Sequence, residues 1–138
     1  MTKSLIKLLA LPALLAGAAQ ALHFTNDIPV DAYYQVGTDF VLTWSPETRT
    51  DTFNLTVDSF LTNPILVSPN GGPLGSPVYD YKGKEVVLNE AVKFTDQTFT
   101  WKVATIDGRQ GGDWYYRFGA TYGFGADYPR AFHVKTSA

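Results

Sequence analysis

Residues 36–46 read Val-Gly-Thr-Asp-Phe-Val-Leu-Thr-Trp-Ser-Pro, and this stretch predicts the fold. A glycine turn leads into a run that alternates large apolar side chains with others, and a proline ends it. Side chains on a strand alternate between faces, so Phe40, Leu42 and Trp44 should share one face. Three large side chains on one face need a second layer to cover them. The stretch therefore predicts an inner strand of a two-layered fold.

The same alternation recurs along the chain after residue 21. Its clearest examples are residues 52–58, 97–103 and 114–121, and shorter extended runs lie between them. Turn residues (Gly, Pro, Asn and Asp) separate the runs, and no window has a helical period. About seven short strands in this length are typical of an all-β fold, an antiparallel β-sandwich of the immunoglobulin or fibronectin-III kind.

The first 21 residues predict a cleavable signal peptide. Lys3 and Lys7 supply the positive start, residues 8–17 are apolar, and Ala19-Gln20-Ala21 fits a small-x-small cleavage site. The apolar run is too short for a membrane span. We therefore expect a signal peptide over 1–21 and one secreted domain over 22–138. The alternative is a short membrane anchor or an uncleaved helix.

The charge of the chain limits its possible partners, and the absence of cysteine limits its possible sites. The predicted signal peptide holds two of the 11 basic residues, so nine remain against 13 acidic ones. This acidic balance argues against nucleic acid or an anionic membrane surface as a partner. The chain has no cysteine, which excludes a thiol nucleophile and a cysteine zinc site. We expect a monomer that needs no cofactor and has no membrane anchor.

No catalytic constellation is recognisable. The glycine-x-serine-x-glycine elbow of hydrolases does not occur, and the acidic residues flank turns, where Asp is common for backbone reasons. A metal-binding or oxidative enzyme is a third hypothesis, because cleavage one residue late would leave His23 as an N-terminal chelate that His133 could join. Lone histidines on strands are usually ordinary residues, so we expect no metal site and no enzyme.

An aromatic loop over residues 121–129 is the best binding candidate. Tyr122, Phe124 and Tyr128 alternate with glycines in this loop, and Tyr79, Tyr81 and Tyr115 could extend the same surface. Aromatic side chains on loops can stack on sugar rings or anchor a protein partner. The alternative is that the loop folds back and its aromatic rings cap the end of the sandwich.

Asn54-Leu55-Thr56 is a sequon for N-glycosylation. Strand alternation places Asn54 on the face opposite Phe53 and Leu55, so its side chain should be accessible. The sequon therefore predicts a glycoprotein, with an unused sequon as the alternative.

Several segments together resemble one fungal family. They are Phe24-Thr25 with a nearby proline, residues 37–46, 53–57 and 100–103, residues 112–117, and the closing Phe132-His133-Val134. They are similar to the N-terminal immunoglobulin-like domain of yeast cell-wall synthesis proteins of β-1,6-glucan assembly, also described as the Ser/Thr-rich, GPI-anchored membrane family. The resemblance implies a glycosylated extracellular β-sandwich that organises wall glucan without known catalysis.

The chain departs from that family in two ways. The Ser/Thr-rich stalk with its anchor signal and the basic C-terminal region are not found, so we expect a soluble protein. The leading hypothesis is a secreted, non-catalytic protein of the fungal cell wall that binds or organises β-glucan. The second is a small secreted module that engages a protein partner through the aromatic loop.

Overall fold

The computed structural model describes residues 22–123 and 125–136, and its regular structure is β apart from two short 3-10 helices, Pro73–Gly75 and Phe94–Asp96. The predicted signal peptide over 1–21 lies outside the described residues. The strands are β1 (Tyr33–Gln35), β2 (Asp39–Thr43), β3 (Thr52–Leu61), β4 (Ile65–Ser68), β5 (Val78–Asp80), β6 (Lys84–Lys93), β7 (Thr98–Lys102), β8 (Trp114–Tyr122), β9 (Gly125–Asp127) and β10 (His133–Lys135). The prediction of an all-β fold is confirmed. In the described part of the chain, no helix is long and apolar enough to cross a membrane.

The largest sheet is antiparallel and has the strand order β6-β3-β8-β9. Strands β2 and β7 form a second antiparallel pair, and β4 and β5 form a third. Strands β1 and β10 pair in parallel. The β2–β7 pair packs on the inner face of the large sheet, where Phe40 and Trp101 both lie 5.3 Å from Phe118, measured between ring centroids. The core fills the space between them.

The opening prediction about Phe40, Leu42 and Trp44 is confirmed. Their side chains are 8%, 0% and 3% exposed. Val41, which alternates with them, is 49% exposed. The face predicted from the alternation is therefore the face that the core covers.

The sequence and the structure differ in how the chain is divided into strands. Ten strands lie in the described ranges, against about seven predicted, because several pairings involve only three residues. The predicted first strand around Phe24 is reduced to a single bridge with Trp44. The predicted loop over 121–129 contains a strand, because β9 folds back and pairs with β8. The sheets are also not wholly antiparallel, since β1 meets β10 in parallel.

Tyr116, at the start of β8, ties the preceding loop to the core. Its side chain is fully buried, and its hydroxyl accepts a hydrogen bond from the Ile106 N–H (2.8 Å) and donates one to the Arg109 carbonyl (2.7 Å). Burial, ahead of other causes, raises the pKa of Tyr116 above its ordinary value. The hydroxyl therefore stays protonated at neutral pH and can serve both partners.

We expect Tyr116→Phe to lower the free energy of unfolding by about 1–3 kcal/mol, because the buried Ile106 N–H loses its partner. The ring and its packing remain, so the loss isolates the hydroxyl. Urea unfolding followed by circular dichroism measures it. Unchanged stability would mean that water replaces the hydroxyl without cost.

Candidate functional site

The outer face of the large sheet carries the candidate site. Tyr116, Phe118 and Ala120 of β8 are buried in the core. Strand alternation therefore turns Tyr115 and Arg117 to the opposite, outer face. On the neighbouring strand β3, Phe60 lies opposite Tyr115 in the register, and Asp58 lies opposite Arg117. Cross-strand neighbours on one face of a sheet are close enough to interact.

A continuous row of five rings and one guanidinium group crosses this outer face. We name it the aromatic ridge, and its members in spatial order are Tyr33, His133, Tyr115, Phe60, Arg117 and Tyr128. The first three are stacked, with centroid distances of 4.8 Å and 4.6 Å. Tyr115 and Phe60 lie 5.8 Å apart. The Arg117 guanidinium lies 5.3 Å from the Phe60 ring and 4.4 Å from the Tyr128 ring, which completes the row.

Asp31 fixes the stacked end of the ridge. Its backbone lies in the left-handed region (φ 55°), which Asp tolerates better than most residues. One carboxylate oxygen accepts a hydrogen bond from the Tyr115 hydroxyl at 3.0 Å and lies 3.4 Å from His133 Nε2. The bond to Asp31, together with partial burial, raises the pKa of Tyr115, so this hydroxyl remains a donor at neutral pH.

His133 is the buried member of the ridge, at 3% exposed. Its ring lies between Tyr33 and Tyr115, and Nδ1 is 2.9 Å from the Trp114 carbonyl. A carbonyl oxygen can only accept, so Nδ1 carries the proton of this bond. The hydrogen bond and the two flanking rings hold the imidazole in one orientation.

Gly119 makes room for the other end of the ridge. It lies on the outer face of β8 beside Thr56, whose hydroxyl donates to the Gly119 carbonyl at 3.3 Å. A Cβ at Gly119 would lie 2.9 Å from both the Thr56 hydroxyl and a carbon of the Tyr128 ring. Tyr128 therefore rests on bare backbone, and Arg117 holds its position by a cation–π contact.

The two ends of the ridge are its most accessible parts. Tyr33 is 45% exposed although His133 stacks on it, and Tyr128 is 50% exposed although Arg117 contacts it. An exposed, immobilised tyrosine offers apolar area at little cost in entropy, together with a polar hydroxyl. Asp31 and Asp58 place hydrogen-bonding groups beside the rings. Such a row can bind a long ligand with apolar faces and polar edges.

The structure separates the four binding residues predicted from the sequence. Tyr115 and Tyr128 lie on the ridge. Tyr122 points to the core side, where it packs 5.3 Å from Phe94 and its hydroxyl accepts a hydrogen bond from the Leu22 N–H at 2.8 Å. Phe124 lies outside the described residues. The ridge therefore unites two of the candidates, and Tyr122 occupies the capping position that was the alternative.

The remaining predicted surface residues lie away from the centre of the ridge. Asn54 is half-buried in β3 and lies opposite Thr121 of β8, on the outer face. Tyr79 and Tyr81 are 46% and 51% exposed and belong to the distant part of the chain around β4 and β5. These two tyrosines offer exposed rings that are not members of the row.

The two histidines have different surroundings. His23 is exposed, and its carbonyl accepts a hydrogen bond from the Ser45 N–H, whereas His133 is enclosed in the ridge. Among the described residues, no group of three His, Cys, Asp or Glu side chains could hold a metal ion. Leu22, the predicted first residue of the mature chain, is buried in the core. Cleavage one residue later would therefore remove a core side chain.

A cleft of about 340 Å³ lies between β6 and the loop after β7. Val57, Val86, Leu88, Trp101 and Ile106 provide its apolar lining. The ion pair between Lys84 and Asp107 (2.8 Å) also borders it and lowers the pKa of Asp107. The polar groups of a specific site converge on its ligand, whereas these two charged groups satisfy each other. The ridge, with hydrogen-bonding groups beside exposed rings, is the stronger candidate.

Sequence reasoning gave no binding role to Tyr33, Phe60 or Arg117, and it considered His133 only as a partner in a metal chelate. The alternation of β8 was a usable signal for Arg117, because this residue is out of phase with the core residues Tyr116 and Phe118. The other three reach the ridge through pairings between distant segments. A single sequence carries no signal for those pairings.

Comparisons with known proteins add no relative from which a function could be transferred. A scan against protein-family models, a search of curated proteins and a search of solved structures each found no match. The candidate site therefore rests on the geometry of this chain, in which the aromatic ridge is the arrangement best suited to bind a ligand.

Proposed function

We propose that this chain is a secreted, non-catalytic, immunoglobulin-like β-sandwich of the fungal cell wall that binds β-glucan along the aromatic ridge. Secretion and the wall setting come from the predicted signal peptide and the family resemblance. The binding surface comes from the geometry of the outer face. The proposal differs from the sequence-based hypothesis in placing the ligand along the outer face of the sheet, where Tyr128 is the contribution of loop 121–129.

The sandwich part of the proposal draws support from Tyr116. In immunoglobulin-like domains a tyrosine near the start of a late strand hydrogen-bonds back to the backbone a few residues upstream. Tyr116 makes bonds of this kind to Ile106 and Arg109, from the beginning of β8. The packing of the β2–β7 pair on the inner face of the large sheet is also what a sandwich requires.

The observation that carries the binding proposal is the continuity of the ridge. A glucan chain presents apolar C–H faces and a border of hydroxyls, and aromatic rings with polar neighbours match both features. Tyr33 and Tyr128 would stack on sugar rings at the two ends of the row. Asp31 and Asp58 would accept hydrogen bonds from sugar hydroxyls. Because neighbouring rings hold the end tyrosines in place, binding would cost little side-chain entropy.

A protein partner bound through loop 121–129 is the second candidate. The half-exposed Tyr128 favours it, because an exposed tyrosine can anchor a partner. Tyr122 supports it less, since its hydroxyl and ring are engaged inside the molecule. Glucan binding along the ridge gives a role to Tyr128 and to the other rings of the row. Protein binding through the loop gives a role to Tyr128 but not to those other rings.

The test is retention on insoluble β-glucan and chitin, followed by titration with soluble β-1,3- and β-1,6-gluco-oligosaccharides. We expect the wild-type protein to be retained on β-glucan. Tyr33→Ala and Tyr128→Ala should each weaken the affinity about threefold to tenfold, because each removes one stacking ring. The double variant should lose retention. All three variants should melt close to the wild type, since both side chains are half exposed.

Tyr79→Ala and Tyr81→Ala are matched controls, because these tyrosines are equally exposed and lie off the ridge. They should bind like the wild type. If the protein were retained on neither β-glucan nor chitin, the wall-binding proposal would be rejected. Equal losses in the ridge variants and the controls would reject the ridge as the site.

A further inference from the structure

The segment that contains β4 and β5 forms an arm that extends from the large sheet. We define the arm as residues 63–82. In the described part of the chain, β4 and β5 pair only with each other. The arm is joined at its base, where the Leu61 N–H donates to the Tyr81 carbonyl (2.8 Å) and Arg109 donates to the Lys82 carbonyl (2.7 Å). It therefore continues the β3–β6 ribbon beyond the core.

The arm exposes large apolar side chains on both of its faces. Neighbouring strand residues point to opposite faces, yet Ile65, Leu66 and Val67 are all at least 51% exposed. The other members of this set are Leu74, Val78, Tyr79 and Tyr81, each at least 37% exposed. Single exposed apolar residues are ordinary, but seven exposed large apolar side chains within one 20-residue arm mark an interaction surface.

The arm is also electrically neutral in an acidic protein. Its only charged residues are Asp80 and Lys82, which pair with each other at 3.0 Å. Over the described residues, 13 acidic side chains stand against nine basic ones. Two copies of this chain carry the same net negative charge, and the arm is a region where they can approach without a charge penalty.

The backbone of β4 has an unpaired edge, which fits a strand from a partner. One edge of β4 is paired with β5, and the other has no strand beside it among the described residues. Exposed edges of this kind usually carry charged side chains that prevent pairing, lysine above all. Residues 65–68 carry none. The pairing of β4 with β5 is irregular between Leu66 and Ser68, so the regular part of the free edge is short, and its side chains carry no charge.

We propose that the arm binds the arm of a second copy of this chain, with the two β4 edges paired antiparallel about a twofold axis. Antiparallel pairing of identical strands is self-complementary, as a twofold interface requires. A second copy has both features that the arm demands, a free strand edge and neutral apolar faces. The proposal replaces the monomer expected from the sequence with a dimer, and it does not depend on glucan binding.

The test is analytical ultracentrifugation of the secreted protein over concentrations from about 1 to about 200 µM, a range that covers dimers of moderate affinity. We expect the wild-type protein to shift from monomer to dimer within this range. The double variant Ile65→Lys with Val67→Lys should weaken the dimer at least about tenfold, because pairing would bring four lysines together. Both positions are exposed, so circular dichroism and melting should remain those of the wild type.

The matched control is Val30→Lys with Val41→Lys. These side chains are 70% and 49% exposed and lie outside the arm, so the control adds the same charge and should dimerise like the wild type. The ridge variant Tyr128→Ala should also dimerise, which separates this proposal from the binding proposal. A wild-type protein that stays monomeric throughout the range would overturn the inference, even if it bound phosphatidylcholine vesicles through the arm. Equal dimerisation of the arm variant and the control would overturn it too.

Discussion

Trp44→Ala is expected to lower the free energy of unfolding by about 3–5 kcal/mol, the usual cost of removing a large buried aromatic side chain. Trp44 is 3% exposed, and its ring meets Phe53 edge-on at a centroid distance of 5.3 Å. Its indole N–H donates to the Phe94 carbonyl at 2.8 Å within the core. Truncation therefore leaves both a cavity and an unsatisfied carbonyl.

Chemical unfolding followed by circular dichroism measures this loss. One further variant separates the hydrogen bond from the packing of the ring, and a second serves as a control. Trp44→Phe keeps most of the apolar volume and removes the hydrogen bond, so it should cost about 1–3 kcal/mol. Trp114→Ala is the control, because Trp114 is partly exposed and covered on one side by the Arg109 guanidinium at 4.2 Å. We expect it to cost about 1 kcal/mol, as a cation–π contact at the surface does. Similar losses for Trp44→Ala and Trp114→Ala would contradict the assignment of Trp44 to the core.

The inner face could be predicted from sequence because its signal is local. Strand alternation has a period of two, so Phe40, Leu42 and Trp44 identify their own face without any knowledge of their partners. Phe53, Leu55 and Val57 do the same in β3, and all six side chains are buried. A signal of this kind survives errors in strand boundaries, because a boundary error shortens a strand without changing its phase.

The boundary between β8 and the aromatic loop shows where local reasoning fails. Tyr122 keeps the phase of Phe118 and Ala120, so the alternation alone assigns it to the core side. Because the predicted strand ended at residue 121, Tyr122 was assigned to the loop together with Tyr128. The chain turns at Gly123 (φ 46°) into β9, which brings Tyr128 back over the outer face at Gly119. The two tyrosines therefore lie on opposite faces despite their proximity in sequence.

The ridge could not be predicted because it is assembled by register. Tyr33 meets His133 through the parallel pairing of β1 with β10, the first and last strands along the described sequence. Phe60 meets Tyr115 through the register of β3 with β8. Shifting either pairing by one residue would separate the rings, since neighbouring residues on a strand face opposite sides. Register depends on the whole packed core, and no short motif encodes it.

Phe132→Ala is expected to cost at least as much stability as Trp44→Ala, about 3–5 kcal/mol. Phe132 is fully buried, and its ring is the common neighbour of five others. They are Tyr34, Phe40, Trp101, Tyr116 and Phe118, at centroid distances of 5.3 to 6.2 Å. These rings come from β1, from both strands of the β2–β7 pair and from β8, so one side chain joins three groups of strands. Few neighbours can relax into the cavity, because each is already held by others.

Phe132→Leu and Phe60→Ala show whether this cost reflects Phe132's central position. Phe132→Leu fills most of the space and loses the ring contacts, and it should cost less than about 1.5 kcal/mol. Phe60 lies on the outer face with one ring neighbour among the described residues, Tyr115, and its truncation should cost about 1 kcal/mol. Thermal and chemical unfolding of the three variants give the order. If Phe132→Ala lost no more stability than Phe60→Ala, the two sheets would not be joined through Phe132. His133 of the ridge directly follows Phe132 in the chain, so other residues would then have to hold this part of the ridge in position.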